Sequence, residues 1–352
     1  MPRRANSEMP VPASATVQAA APGRLAVVVN CGLVGGHEMQ LVHLVRARER
    51  VGPVVMVVTS PVAQRFFVDQ GFTVRYVPFD CQGKIWRQWQ ASRKLSATLC
   101  PEIVDCAEVI VSGGTIEACV APARAVKLGR ADLKITAYLP MYVDRARAFG
   151  LVGRIYNCAS RAFVTAIDSF VTINRVQARL IRRHYRRPVS VVRNVIEPVA
   201  PPSSNHGPRL IYVGRLDNGQ KDVTGLIDLL DDPRNPYREL HIFGDGPDRP
   251  AVEARAAEAQ HVDVVFHGWV PRQRLGPRLG RRDLLVMNSR WEGEPMIVRE
   301  MKAAGIPAIG TNIDGFRGIL PRTQRFADRR ELLDLLNDHH HKAMMAMEGG
   351  GR

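Results

Sequence analysis

Ten short apolar runs, each parted from the next by a stretch of helical character, recur along this chain. They are Leu25–Asn30, Val54–Thr59, Val109–Ser112, Ile135–Leu139 and Phe170–Asn174, then Leu210–Val213, Leu240–Phe243, Val262–Phe266, Leu284–Met287 and Pro307–Gly310. Strands this short and this continuously apolar suit burial on both faces. Their alternation with helices predicts an α/β chain of parallel sheets covered on each side. A length of 352 residues is long for one such domain and comfortable for two, and a hydrophobic content of 45 % is enough to fill two cores. The sequence IEPVAPPSSNHGP, rich in Pro and Ser, places a linker at 195–208. The expected organisation is a disordered segment over 1–22, one domain over 23–194, a second over 209–328, and a short helix with a frayed tail over 329–352. Ligands of such sheets bind outside the carboxyl ends of the strands, so the two ends are expected to face each other across a cleft.

One stretch carries the most chemistry: NSRWEGEPMIVREMKAAGIPAIGTN, from Asn288 to Asn312. It reads as a strand end, a loop holding Glu292, and a helix opening at Pro295 with Glu300 one to two turns in. Proline suits a first helical position, where its missing N–H has no helical partner. The free N–H groups of Met296 and Ile297 would then form an anion site at the helix start. Two carboxylates flanking that site suit a ligand with phosphate in the middle and hydroxyls at both ends. Upstream, the run Leu210–Val213 is followed by Gly214, Arg215 and, six residues on, Lys221. Two cations after a strand and glycine turn suit a diphosphate; a solvated turn with surface charges is the plainer alternative. In the first half, Gly35-Gly36 follow the first run and precede a helix, where small residues let backbone approach a phosphate. An ordinary strand-to-helix turn would look the same. His37 and Glu38 adjoin the pair and either touch substrate or simply open the helix.

With these pieces in their order, the C-terminal half resembles the family 4 (group 1) glycosyltransferases of the GT-B fold. The segments that carry the resemblance are YVGRLDNGQKD (Tyr212–Asp222), LHIFGDGPDR (Leu240–Arg249), VVFHGWV (Val264–Val270) and the E-x7-E segment followed by GIPAIGTN. The N-terminal half is similar through GLVGGHEMQ (Gly32–Gln40) and VVRNVIE (Val191–Glu197). The resemblance implies two Rossmann-like domains and a retaining, metal-independent hexosyltransferase using a UDP- or GDP-linked sugar, with no other cofactor. It implies that Arg215 and Lys221 hold the diphosphate and that Glu292 holds hydroxyls of the donor sugar. Glu300 would hold the ribose, although an ion pair with Lys302 is its plainer alternative. Gly35 and Gly36, with Pro295, Met296 and Ile297, would line the donor phosphates. No Asp-x-Asp metal motif is present. Many members place a histidine at a strand end near the transferred sugar; here that place reads Tyr138-Leu139-Pro140-Met141-Tyr142. Tyr142 and Asp144 are the polar candidates on the acceptor side. The acceptor class implied is a glycan or lipid-linked glycan of surface polysaccharide or lipopolysaccharide assembly. A GT-B nucleotide-sugar epimerase and a non-catalytic partner subunit are the competing readings.

The charge is uneven. Of a formal +15, a large share sits in 144–193, where eleven arginines meet two aspartates. Basic and apolar residues together suit an anionic membrane surface, while an arginine-rich solvated face accounts for the charge equally well. Nucleic acid is not expected, because no recognised binding motif accompanies the charge. No apolar run reaches eighteen residues, so no span is predicted, and a cytoplasmic enzyme, peripheral on the inner membrane face, is expected. The six cysteines lack C-x-x-C spacing and read as buried free thiols. His339 to His341 read as part of the frayed tail rather than as metal ligands.

Overall fold

The computed structural model describes residues 23–349 apart from 33, 81–83, 197–198 and 203–207. The expected disordered segment 1–22, part of the expected linker and Cys81 lie outside the described residues. Seven strands form the first sheet: β1 (Arg24–Val29), β2 (Val54–Val58), β3 (Val74–Tyr76), β4 (Cys106–Ser112), β5 (Lys134–Tyr138), β6 (Ser169–Thr172) and β7 (Val189–Val191). Their order is 3-2-1-4-5-6-7. Six form the second: β8 (Leu210–Val213), β9 (Glu239–Phe243), β10 (Asp263–Gly268), β11 (Leu284–Met287), β12 (Ala308–Thr311) and β13 (Arg325–Phe326), in the order 10-9-8-11-12-13. Each pairing in the two sheets is parallel. This is the GT-B architecture of two Rossmann-like units.

The apolar runs are continuous because both faces are covered. Along β1, Ala26 and Val28 join one core with Val57, Leu95 and Val120, while Leu25, Val27 and Val29 join another with Leu41, Val45 and Phe67. Successive side chains point to opposite faces, so a strand between two helix layers needs no polar alternation. The second domain has its own core, in which Tyr212, Leu240, Leu285, Met301 and Phe316 are buried together. All ten runs correspond to strands; β3, β7 and β13 are additional. Each has two or three residues and ends a sheet. Edge strands so short and half-exposed leave no periodicity to read.

The end of the chain differs from expectation. The last helix runs Arg329–Gly349, where a short helix with a frayed tail was expected over 329–352. Leu332, Leu333 and Leu336 anchor it in the second-domain core, and the Tyr237 hydroxyl bonds His339 Nδ1 at 2.6 Å. The ring of His340 meets Tyr237 edge-on at 5.1 Å. These two histidines are therefore packed helix residues, which a polar triplet after an apolar stretch does not advertise. The cysteines also divide: Cys31, Cys106 and Cys119 are buried free thiols, Cys100 is half-buried, and Cys158 is exposed.

Each sheet reverses its winding once, between β1 and β4 in the first and between β8 and β11 in the second. Such a reversal opens a crevice at the carboxyl ends of the two strands. The loop after β11 reaches the first domain there. Asn174, after β6, donates through Nδ2 to the Gly293 carbonyl at 3.2 Å. A Cβ on Gly293 would lie 2.6 Å from the Pro140 carbonyl oxygen and 3.2 Å from Met141 Cβ, so only glycine allows this approach. The two strand ends thus meet as the two-domain reading requires.

Candidate functional site

At the β8–β11 reversal the chain after Val213 turns through Gly214 and Arg215 into a tight loop. Lys221 N–H donates to Asp217 O at 2.7 Å, and Gln220 N–H to Asp217 Oδ1 at 3.1 Å. That loop aims Lys221 across the crevice. Its Nζ donates to Glu292 Oε1, which also accepts from Ser289 Oγ at 2.7 Å. Gln220 Nε2 donates to Glu292 Oε2 at 3.4 Å and to the Trp291 carbonyl at 3.3 Å. Glu292 is 8 % exposed, and a Cβ on Gly315 would fall 2.5 Å from its Cβ and its carbonyl oxygen. This carboxylate is held on several sides. Arg215 is freer: its guanidinium touches Asp217 at 3.0 Å and Gln220 Oε1 at 3.3 Å, with 43 % of the side chain exposed.

The helix after this loop is Met296–Ala303, with Pro295 as its cap residue rather than its first turn. The shift of one position leaves the consequence unchanged. The N–H groups of Met296 and Ile297 precede the first intrahelical bond and have no protein acceptor among the described residues. Glu300, 3 % exposed, faces inward, and Arg272 Nη2 from the helix Arg272–Leu275 meets its Oε1 at 2.5 Å. Lys302, the ion-pair partner considered from sequence, instead donates to the Ile319 carbonyl at 2.8 Å. Glu300 is thus a buried carboxylate with an arginine that sequence spacing did not suggest.

On the facing side, the helix Gly36–Glu49 opens at Gly35. Glu38 Oε2 accepts the Gly35 N–H at 2.8 Å, satisfying the backbone donor of the cap residue at the helix start. A Cβ on Gly36 would meet nothing within 4 Å, so neither neighbouring atoms nor a left-handed backbone demands the glycine pair. His37 connects two strand ends to the start of its own helix. Its Nδ1 lies 2.7 Å from Glu38 Oε1, its Nε2 lies 2.9 Å from Ser112 Oγ at the end of β4, and its ring stacks on Tyr138 at the end of β5. Burial raises the Glu38 pKa, but the bond and charge of His37 and the backbone N–H groups outweigh it, leaving the carboxyl below its ordinary value. An ionised Glu38 only accepts, so Nδ1 carries the proton towards it. Ser112 has no solvent exposure, so it orients the imidazole and is not a nucleophile. This histidine lies near the Tyr138–Tyr142 strand end that lacks one in sequence, a placement hidden from the sequence because His37 comes from the helix after β1.

Between the halves lies Glu294. It pairs with Arg299 and accepts from Asn194 Nδ2 at 3.1 Å. Burial nonetheless pushes its pKa above the ordinary value, against the opposing charges of Arg299 and Arg193. Glu294, Ser289, Gln220, Arg272 and Asn174 were not singled out from sequence, since each gains meaning only through a distant partner. The acceptor-side candidates have structural work. Tyr142 is buried, with its ring against His184 and Tyr185. Asp144 caps the helix Arg145–Phe163 through the Ala146 N–H at 3.1 Å and accepts from Asn157 Nδ2 at 2.9 Å. Among the described residues, no group of three or more His, Cys, Asp or Glu is placed to hold a metal ion.

Residues 197–325 match the model of the family described as glycosyl transferases group 1. The chain is 26 % identical over 222 residues to lipopolysaccharide 1,6-galactosyltransferase of Escherichia coli K12, covering 60 % of this chain and 56 % of that protein. It is 35 % identical over 129 residues to the protein of the same name from Salmonella typhimurium, covering 36 % and 35 %. The matches thus span about half of the first relative and a third of the second. Among solved structures, the apo form of lipopolysaccharide outer core galactosyltransferase WaaB superposes with a TM-score of 0.64 at 20 % identity, over 91 % of this chain and 90 % of that one. That likeness is one of fold.

Proposed function

We propose that the chain is a retaining, metal-independent glycosyltransferase that moves a hexose from a UDP- or GDP-linked sugar to a glycan or lipid-linked glycan. The observation that carries this reading is the convergence of Lys221, Arg215, Glu292 and an open helix start at the reversal of the second sheet. Departure of a nucleoside diphosphate places negative charge on its outer phosphate, and donors set in advance around that phosphate stabilise it most effectively. Arg215, Lys221 and the N–H groups of Met296 and Ile297 fill that role. Glu292 takes hydroxyls of the sugar, Glu300 those of the ribose, and Gly35 and Gly36 cover the phosphates from the facing domain. In a front-face reaction the bond from the anomeric carbon to the phosphate oxygen breaks as the acceptor oxygen bonds that carbon. The acceptor's proton passes to the departing phosphate, so no separate base is needed. His37, held by Glu38 and Ser112, takes the acceptor side in place of Tyr142 and Asp144.

The names of the two relatives favour surface polysaccharide or lipopolysaccharide as the setting. Among the described residues no helix is long and apolar enough to cross a membrane. A peripheral enzyme at the cytoplasmic face, meeting anionic lipid through the arginines of 144–193, fits that setting. On the helix Arg145–Phe163, Leu151, Val152 and Ile155 are each more than 60 % exposed, which supports contact with lipid. The mutual pairing of Lys221 and Glu292 favours a second reading, a non-catalytic partner whose cations are already satisfied. Thermal unfolding against UDP, GDP, ADP and CDP, with and without magnesium, separates the two. A ligand at about a hundred times its Kd adds about 2.7 kcal/mol of stability. A magnesium-independent shift with one nucleotide, followed by transfer from that nucleotide's sugar, is the expected result. No shift with any of them favours the partner subunit.

A further inference from the structure

At the C-terminal ends of the helices Arg145–Phe163 and Arg175–Tyr185, and apart from the donor residues, the first domain holds a basic cavity of about 240 Å³ lined by Arg161, Val164, His184, Tyr185, Arg186 and Arg187. Two elements build it. The helix Arg145–Phe163 brings Arg161 in its last turn, and the helix Arg175–Tyr185 ends in His184 and Tyr185. Arg186 then adopts a left-handed conformation, φ 54°, with its N–H returned to the Arg182 carbonyl at 2.9 Å. That turn wraps Arg186 and Arg187 around the helix end. Glycine or asparagine is the usual residue at such a cap; here arginine occupies it.

None of these three guanidiniums pairs with a carboxylate among the described residues, although Asp144 acts at longer range on His184. Several arginines elsewhere in the chain do pair, among them Arg145 with Glu117, Arg209 with Asp283 and Arg255 with Asp231. A bland explanation is that cations complement the negative end of a helix dipole. Arg182 and Arg183 already do that in the last turn, and it does not account for Arg161, which comes from another helix. Three unpaired planar cations around one cavity match the geometry that phosphate recognition uses.

We propose that this cavity is a phosphate-binding site, separate from the donor site, that takes the phosphate of an anionic lipid head group or of a soluble phosphorylated ligand. Val164 and Tyr185 form the apolar floor beneath the phosphate, and Arg161 and Arg187 close on it from two elements. The helix that supplies Arg161 also exposes Leu151, Val152 and Ile155, about two to three turns towards its N-terminus. The site does not depend on the transferase reading, because phosphate held here survives the loss of every donor residue.

The test uses the full chain with the donor site filled by saturating UDP and inorganic phosphate titrated at constant ionic strength. The variant R161Q/R187Q should weaken phosphate at least about tenfold, as expected for losing charge-assisted contacts. R182Q/R183Q, equal in charge but outside the cavity, should leave it unchanged. Equal loss in both variants, or in neither, overturns the site in favour of diffuse charge. Should R161Q/R187Q fail to fold, phenylglyoxal modification of the wild-type chain gives the same answer. Phosphate should protect Arg161, Arg186 and Arg187 and not Arg182 or Arg183; uniform labelling overturns the proposal. Protection of Arg215 reports the donor site, so the two readings fail separately. Co-sedimentation with phosphatidylcholine vesicles, with and without phosphatidylglycerol, then identifies the source. Binding lost in R161Q/R187Q and displaced by phosphate supports a lipid head group. Vesicle binding unchanged by R161Q/R187Q, with phosphate affinity lost, supports a soluble phosphorylated ligand.

Discussion

Lys221 and Glu292, residues from two strands' loops, form an ion pair across the crevice of the second sheet, and Ser289 and Gln220 hold the carboxylate in place. Under the proposed function, a donor diphosphate that takes Lys221 would share or displace Glu292, leaving the carboxylate available to sugar hydroxyls. The pair would then couple phosphate binding to sugar binding.

Glu292→Gln tests that coupling. The amide keeps its size and still meets Ser289, but it leaves Lys221 without a counter-charge. Transfer should fall by roughly a hundredfold or more, the scale of losing one preorganised polar group at a reacting centre. UDP alone should stabilise the variant at least as much as it stabilises the wild type, because the phosphate no longer competes with a carboxylate. A transfer assay beside UDP-dependent unfolding reads both quantities. Weaker UDP binding in the variant would contradict the coupling.

Gly293→Ala addresses the seam between domains. The added methyl would stand 2.6 Å from the Pro140 carbonyl oxygen, so the loop after β11 must withdraw from the first domain. Overpacking of this kind costs about 1–3 kcal/mol. Here the cost is relieved by separating the domains rather than by unfolding either one. Small-angle scattering should show a more open particle, transfer should fall, and UDP binding by the second domain should persist. An unchanged scattering profile with full activity would mean the contact is incidental.

Much of this was legible in the sequence, for identifiable reasons. The apolar runs gave ten strands because burial on both faces removes polar interruptions, and Glu292, Glu300, Arg215 and Lys221 stood out through local spacing in one stretch each. Pairings across the fold were hidden. Nothing near Glu300 predicts Arg272, 28 positions away, and nothing near Gly293 predicts Asn174, 119 away. His37 was visible as a letter beside a glycine pair, but its stacking on Tyr138 depends on β1 and β5 ending at one level on either side of β4. Tyr142 and Asp144 drew attention by position near a strand end; that Tyr142 packs on His184 and Tyr185, and that Asp144 caps the next helix, depends on the fold. The C-terminal helix was cut short because its histidines are polar, although Tyr237 gives them a partner.

His37→Ala probes the acceptor side. Its ring is positioned by three neighbours, so truncation removes one oriented group without opening the core widely. Transfer to acceptor should drop by roughly tenfold or more, the effect of losing an oriented hydrogen-bonding group, while the UDP-induced shift stays at its wild-type size. Separate measurement of donor KM, acceptor KM and kcat checks this: an effect confined to donor KM would move His37 to the phosphate side of the site.

The last prediction concerns pH and rests on Glu38. Two effects act on this carboxyl: burial raises its pKa, while the His37 bond and charge, with the N–H of Gly35 and its own backbone, lower it, and the lowering wins. A folded pKa below the ordinary 4.5 means that the unfolded chain binds the proton more readily. The contribution of Glu38 to stability is thus complete above about pH 4.5 and is lost as the pH falls through its folded value. Glu38→Gln keeps an acceptor for the Gly35 N–H and removes the charge, so it should be less stable than the wild type at neutral pH by about 1 kcal/mol. The gap should narrow on acidification below about pH 4.5, because the unfolded wild type takes up a proton more readily than the folded one. Urea unfolding of both proteins at about pH 7 and about pH 3.5 measures the difference. A gap that stays constant with pH would show that the charge of Glu38 does not support the helix start, and that the His37 ring is held by packing on Tyr138 instead.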